Sequence, residues 1–234
     1  MWIRQLHCRR PPTAGFTLIE ILTAIFILSI VVSLVLGSFD GIFSTADHIN
    51  ASTDYYEMGS SALIRIVSDL SALHVMRYPR YKPPDIDDDP EIYRFVGEER
   101  LVGGKSFSWI RFTSLAHLPL NQVSREGIAQ MVYYVQEDEA SGYILKRSDN
   151  LYPYPEFEEN DDDPVVCEQL QDFKLIFFDE AGRELESWDS EDDDTEYGTP
   201  RAVGIRLSVG ETDAPFLFRT QVMLPVYRYQ PVKR

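Results

Sequence analysis

An uncharged run of 19 residues, from Ile21 to Phe39, constrains this chain more than any other feature of its sequence. A helix of that length spans about 28 Å, which nearly matches the roughly 30 Å hydrocarbon core of a bilayer. Arg4, Arg9 and Arg10 precede the run, and acidic residues follow it. Because positive charge is retained on the cytoplasmic side, we expect the first residues to stay in the cytoplasm and the chain after about residue 40 to be exported.

Ordinary export signals explain this run poorly. It is longer than the h-region of a secretory signal, it begins beside an acid at Glu20, and no A-x-A cleavage site follows it. Cys8 lies before the run, whereas the cysteine of a lipoprotein signal lies after it. A plain single-pass anchor accounts for the length but not for Glu20, because a carboxylate at membrane depth costs about 3 kcal/mol unless it is paired or protonated.

The residues around Glu20 resemble the cleavage motif of type IV prepilins. The stretch Gly15-Phe16-Thr17-Leu18-Ile19-Glu20 follows a basic leader and opens the apolar run. In that family a membrane aspartyl peptidase, the prepilin peptidase, cuts after the glycine and methylates the new N-terminal phenylalanine. The resemblance implies a leader at 1–15, cleavage after Gly15, methylation of Phe16, and an assembly role for Glu20.

That assembly role has a physical basis. In the family pattern, the amine of Phe16 in one subunit can neutralise the carboxylate of Glu20 in a neighbouring subunit inside the membrane. Two charges that are costly to bury become a satisfied pair only when the subunits are in register.

The rest of the chain predicts a long helix followed by antiparallel strands, which is an α+β, pilin-like architecture. No proline occurs between the apolar run and Pro79, so the helix is predicted over 16–76. We assign 16–39 to the inner membrane and 40–76 to a periplasmic continuation of the helix. Residues 77–234 are expected to form a globular, β-rich domain.

The second half of the helix is expected to pack on this domain through one apolar face. From Ala62 to Val75, apolar residues recur at helical spacing, and we assign Arg65, Ser68 and Asp69 to the other side of the helix. Short apolar or alternating segments then predict strands, with hairpins through 137–142 and 179–182. The predicted strands are Phe107–Phe112, Gln130–Gln136, Tyr143–Arg147, Asp172–Phe178, Arg183–Trp188, 203–209 and 216–222.

The C-terminal half resembles the J-type minor pseudopilin of the type II secretion system. The segments that carry this resemblance are Phe177-Phe178-Asp179, Glu186-Ser187-Trp188-Asp189-Ser190 and Pro200-Arg201-Ala202-Val203. It implies a structural protein in the small complex at the tip of a periplasmic pseudopilus, with I- and K-type pseudopilins as partners. Such a complex starts assembly of the filament that helps to export folded proteins. We expect Trp188 to be a core residue.

The chain is strongly acidic, with a formal net charge of −16, which argues against nucleic-acid binding. The acidic stretches 85–89, 156–163 and 191–194 have no counterpart in the resemblance. Asp85, Asp87 and Asp89 match the first ligands of a calcium loop, but the glycine and the bidentate glutamate of that loop are missing. We therefore expect no cofactor, with calcium at these three residues as the alternative to solvated loops.

No catalytic residue is predicted. His48, His74 and His117 lie in no nucleophile–base motif, and Cys167 has acidic neighbours that raise a thiol pKa. The stretch Gly103–Ser106 resembles the end of a phosphate-binding loop, but a strand rather than a helix is predicted after it, which favours a turn.

Two other functions remain open at this point. A minor pilin of an extracellular type IV pilus shares the N-terminal motif and the long helix. A membrane-anchored periplasmic binding or enzymatic domain that only resembles a prepilin is the other alternative.

Overall fold

The computed structural model of the protein describes residues 15–84, 90–118, 126–139 and 141–229, with the backbone alone over 38–51. The leader before Gly15 and the calcium candidates Asp85, Asp87 and Asp89 lie outside these residues, as does the side chain of His48. The chain divides into two compact units, with the boundary between residues 51 and 52.

The predicted long helix is present as α1, Leu18–Ser71, which has 54 residues. Its predicted end at 76 is wrong, because α1 stops at Ser71 and Leu73–His74 form a short strand, β1, paired with residues 113–114. Leu73 and Val75 are two residues apart, and this spacing is compatible with a strand as well as with the last turn of an amphipathic helix. The strand forms because Leu73 and His74 pair with the first sheet.

A first sheet holds seven of the strands in the described residues, and it is antiparallel throughout. Its order is β6-β5-β4-β3-β2-β9, and β1 extends it by pairing with β3. The strands not yet named are β2 (Val96–Val102), β3 (Lys105–Ser114), β4 (Ala129–Asp138), β5 (Gly142–Leu151), β6 (Val165–Cys167) and β9 (Trp188–Asp189). The predicted turn at Gly103 and Gly104 joins β2 to β3, with φ of 54° and 83° as a two-residue hairpin requires.

A second sheet has the order β11-β10-β7-β8. These strands are β7 (Leu170–Phe178), β8 (Glu184–Leu185), β10 (Ala202–Val209) and β11 (Phe216–Met223). Arg183–Trp188 is predicted as one strand of a hairpin with β7, and this prediction is wrong. Within that segment, Glu184 and Leu185 pair with β7, whereas Trp188 belongs to the first sheet and pairs with Gly97.

One core joins the second half of α1 to both sheets. The helix contributes Ala62, Ile66 and Leu70, and the two sheets contribute aromatic residues such as Phe112 and Phe177. Trp188 belongs to the same core at 5% exposure, so its predicted core role is confirmed. Its ring N–H is satisfied by the carbonyl of Gly198 at 3.0 Å, as a buried indole requires.

The acidic stretch 156–163 covers the outer face of the first sheet. Phe157 lies near its start, with its ring centre 5.7 Å from that of Trp109 and 5.1 Å from that of Tyr134. The buried Lys146 donates to the carbonyls of Asn160 (2.9 Å) and Asp161 (3.1 Å). This stretch is therefore packed into the fold and is not a freely solvated loop.

Candidate functional site

The predicted processing segment leads into α1 through a capping box. The Glu20 carboxylate accepts hydrogen bonds from the Thr17 N–H (3.0 Å) and hydroxyl (2.9 Å), and the Glu20 N–H donates to the Thr17 hydroxyl oxygen (3.4 Å) and carbonyl (3.1 Å). Threonine and glutamate three residues apart are the usual partners in this arrangement. Gly15 and Phe16 precede the helix, and Phe16 is 86% exposed. The predicted cleavage bond therefore lies outside regular secondary structure.

The span Leu18–Gly37 is long and apolar enough to cross a membrane, and none of its residues is buried within the chain. Its large side chains are exposed all round the helix, with Leu22 and Leu34 at 57% and 67%. Each such side chain gains about 1.5–3 kcal/mol when it is fully buried. The span is therefore a surface that a bilayer or neighbouring subunits must cover.

In the second unit, a buried ionic network attaches α1 to the first sheet. Asp69 is fully buried and accepts hydrogen bonds from Tyr133 (2.7 Å), from Arg147 Nε (2.6 Å) and from Arg65. Arg147 also bonds Asp149 at 2.7 Å. Burial alone would lower the pKa of Arg147, but the hydrogen bond and charge of Asp69 raise it, while burial and Asp69 together raise the pKa of Tyr133.

Asp69 was assigned by its polarity to the exposed side of the helix, and that assignment is wrong. It lies three residues after Ile66 and seven after Ala62, which places it on the buried helix face. This spacing is the signal that could have identified it. Because side chains from two strands, Tyr133 on β4 and Arg147 on β5, bond one carboxylate of α1, the network fixes the register of α1 on the sheet.

His117, a predicted non-catalytic histidine, borders this network, since its Nδ1 lies 2.6 Å from Asp149 Oδ1. Cys167 is buried, and burial followed by the charge of Glu168 raises its pKa to about 12. The predicted direction of that shift is confirmed, although burial contributes more than the acidic neighbour.

A second buried cluster fixes the C-terminal segment. The Arg228 guanidinium lies 3.4 Å from the ring centre of Tyr81 and donates to the carbonyls of Tyr197 (2.7 Å) and Ser190, with Glu91 at 3.3 Å. Burial raises the pKa of Tyr81 to about 12 and also raises the pKa of Glu91. The acidic turn at 191–194 is part of this arrangement, since the Glu191 carboxylate accepts the Glu91 N–H at 2.7 Å.

Two protein-family models match this chain. Residues 10–36 match the prokaryotic N-terminal methylation motif, and residues 37–215 match the type II secretion system (T2SS), protein J. The second match covers most of the chain, including both sheets apart from β11. The chain belongs to the protein J family of type II secretion.

Members of this family are structural proteins of the secretion machinery that interact with other pseudopilins. The resemblance to a J-type minor pseudopilin inferred from the sequence is confirmed. With its single described apolar span, the pseudopilin is a membrane-anchored, single-pass protein. No individual curated protein matches the chain. Nothing in these comparisons favours the type IV pilus alternative.

Proposed function

We propose that this pseudopilin is cleaved after Gly15 by prepilin peptidase, methylated at Phe16, and assembled with I- and K-type pseudopilins into the tip that starts a pseudopilus. In this proposal the chain is anchored in the inner membrane, with its N-terminus in the cytoplasm and its β-rich unit in the periplasm. The observation that carries the proposal is an apolar span that the chain itself leaves uncovered and that holds one carboxylate, Glu20, at its start.

Glu20 has two physical roles in this proposal, and they can be separated. Within one chain it closes the capping box with Thr17, which is worth about 1 kcal/mol to a helix end. Between chains, its charge pairs with the Phe16 amine that cleavage exposes. Only the second role requires a negative charge, because glutamine also completes a capping box.

A matched pair of substitutions tests the charge. Glu20→Gln keeps the hydrogen bonds to Thr17 but removes the charge, and Glu20→Ala removes both. We expect both variants to be cleaved normally and to be incorporated poorly, by about tenfold or more, since an unpaired buried amine costs several kcal/mol. In vivo cross-linking to I- and K-type pseudopilins measures this. The control is Thr17→Ala, which weakens the cap by removing the hydroxyl and keeps the charge of Glu20.

The outcomes assign the role of Glu20. Poor cross-linking of both Glu20 variants with normal cross-linking of Thr17→Ala supports charge pairing. If Glu20→Gln cross-links as well as the unchanged chain, Glu20 acts as a helix cap and the assembly proposal for this residue is wrong.

A further inference from the structure

A groove of about 750 Å³ lies on the second unit, between two segments of the chain. One wall is the stretch 74–80, which follows α1, and the other is the stretch 225–229, which follows β11, with Tyr93 completing the lining. Arg228 and Tyr81 hold the second wall in place through the buried cluster described above. The groove is therefore built on fixed elements.

Two arginines of this groove have no partner in the described part of the chain. Arg77 and Arg80 are exposed, and neither guanidinium forms an ion pair or a hydrogen bond with any described residue. Arg228, by contrast, is already bonded to the Glu91 carboxylate and to two carbonyls. In a chain with 38 acidic and 22 basic residues, two neighbouring unpaired arginines form a local positive site on a negative protein.

The second wall also offers unbonded backbone. Arg228 exchanges bonds with Thr199, since its N–H donates to the Thr199 hydroxyl (2.8 Å) and its carbonyl accepts the Thr199 N–H (3.0 Å). Its neighbours Tyr227 and Tyr229 form no backbone hydrogen bond within the described residues. A partner segment in extended conformation can bond such free N–H and C=O groups, as an added strand does at a sheet edge.

Aromatic rings fix the shape of both walls. The rings of Tyr227 and Tyr229 stack with centres 5.5 Å apart and planes inclined at 30°, and the Arg201 guanidinium covers Tyr227 at 3.8 Å. On the other wall, His74 meets Tyr93 edge to face at 4.8 Å. Tyrosines with neighbouring arginines are the residue types that are enriched at protein interfaces.

We propose that this groove binds an extended acidic peptide segment of another protein, with its carboxylates on Arg77 and Arg80 and its backbone along 225–229. Charge complementarity selects the occupant, because the arginines are unpaired and a carboxylate matches the fork of a guanidinium. A protein occupant fits the free backbone groups, which a lipid phosphate would leave unbonded. The proposal is independent of cleavage after Gly15 and of the role of Glu20.

The test measures peptide binding to the full-length processed chain in neutral detergent. The probe is a short fluorescein-labelled peptide of alternating glutamate and valine, followed by fluorescence anisotropy, and the control peptide has glutamine for each glutamate. We expect the glutamate peptide to bind and the glutamine peptide to bind at least about tenfold more weakly, since hydrogen bonds to charged groups contribute about 1.5–3 kcal/mol. The affinity should fall with added salt.

Substitutions in the chain assign the binding to the groove. Arg77→Gln and Arg80→Gln should each weaken binding by about tenfold. Arg219→Gln is the matched control, because Arg219 is an exposed arginine on β11 outside the groove lining and has the same charge. Unchanged thermal unfolding of all three variants shows that the fold is intact, which is expected because none of these side chains has a partner among the described residues.

Three results would overturn the proposal. Equal loss with Arg219→Gln would show general charge attraction rather than a site. Binding of glycerol 3-phosphate at Arg77 and Arg80 without binding of the peptide would assign the groove to phosphate headgroups. Peptide binding only after Asp85, Asp87, Asp88 and Asp89 are replaced by serine would show that the chain's own acidic stretch competes for the arginines.

Discussion

Replacing Asp69 by alanine tests how α1 is held on the first sheet. The substitution removes a carboxylate that is completely buried and that accepts hydrogen bonds from Arg65, Tyr133 and Arg147. Among the described residues, Arg147, at 3% exposure, keeps only Asp149 as a partner in an ion pair. Tyr133, which is fully buried, loses the acceptor of its hydroxyl.

The expected loss follows from these contacts. Removing one partner of a buried ion pair destabilises a protein by about 3–5 kcal/mol, because the other charge stays buried without compensation. For a chain of this size each kcal/mol corresponds to about 2–4 °C in Tm, so we expect a decrease of about 6–20 °C. Thermal unfolding of the processed chain in detergent, followed by near-ultraviolet circular dichroism, measures it.

Two further variants make the result specific. Arg65 is 24% exposed and forms an i,i+4 pair with Asp69, so Arg65→Ala should cost about 1 kcal/mol or less. The double variant Asp69→Leu, Arg147→Met removes both charges and should be clearly more stable than the sum of its single changes. A change of less than about 1 kcal/mol for Asp69→Ala would refute the reasoning, because Arg147 would then have reached water.

Two predictions concern groups that titrate or react. Burial, followed by the charge of Arg77, lowers the pKa of His74 below its usual 6.5, so the unfolded chain takes up a proton first as the pH falls. The free energy of unfolding should therefore decrease as the pH falls below about 6.5. Thermal unfolding at several pH values should show a smaller decrease for His74→Gln. The same pH dependence in both proteins would show that His74 is not the group responsible. The buried Cys167, with a pKa of about 12, should react with Ellman's reagent at pH 8 only on unfolding, whereas Leu101→Cys, at a position 76% exposed, should react at once. Fast reaction of the native Cys167 would show that the site opens.

The N-terminal half of the fold was predictable because its signals are local. A long apolar run and the absence of proline predict a helix without reference to any partner. Strands with strict alternation, such as β10 and β11, were also identified within a residue or two. The family resemblance rested on the same kind of short-range pattern.

The errors arise where distant residues decide the structure. Whether α1 ends at Ser71 depends on pairing with β3, more than thirty residues later in the chain. Asp69 is polar, and its burial depends on hydrogen bonds from Tyr133 and Arg147, which lie more than sixty residues later in the chain. Trp188 pairs with β2 and not with its predicted hairpin partner β7. The stretch 156–163 packs on a face of the first sheet, and its own sequence contains no pattern that predicts this contact.

Mass spectrometry of the N-terminus of the chain, purified from its own membranes, tests whether this protein J family member is a processed pseudopilin. We expect a mature chain that begins at Phe16 with one methyl group on its amine. A chain that begins at Met1, or one cut beyond Gly37, would show that it is not processed in this way, because neither could present the Phe16 amine to a neighbouring Glu20.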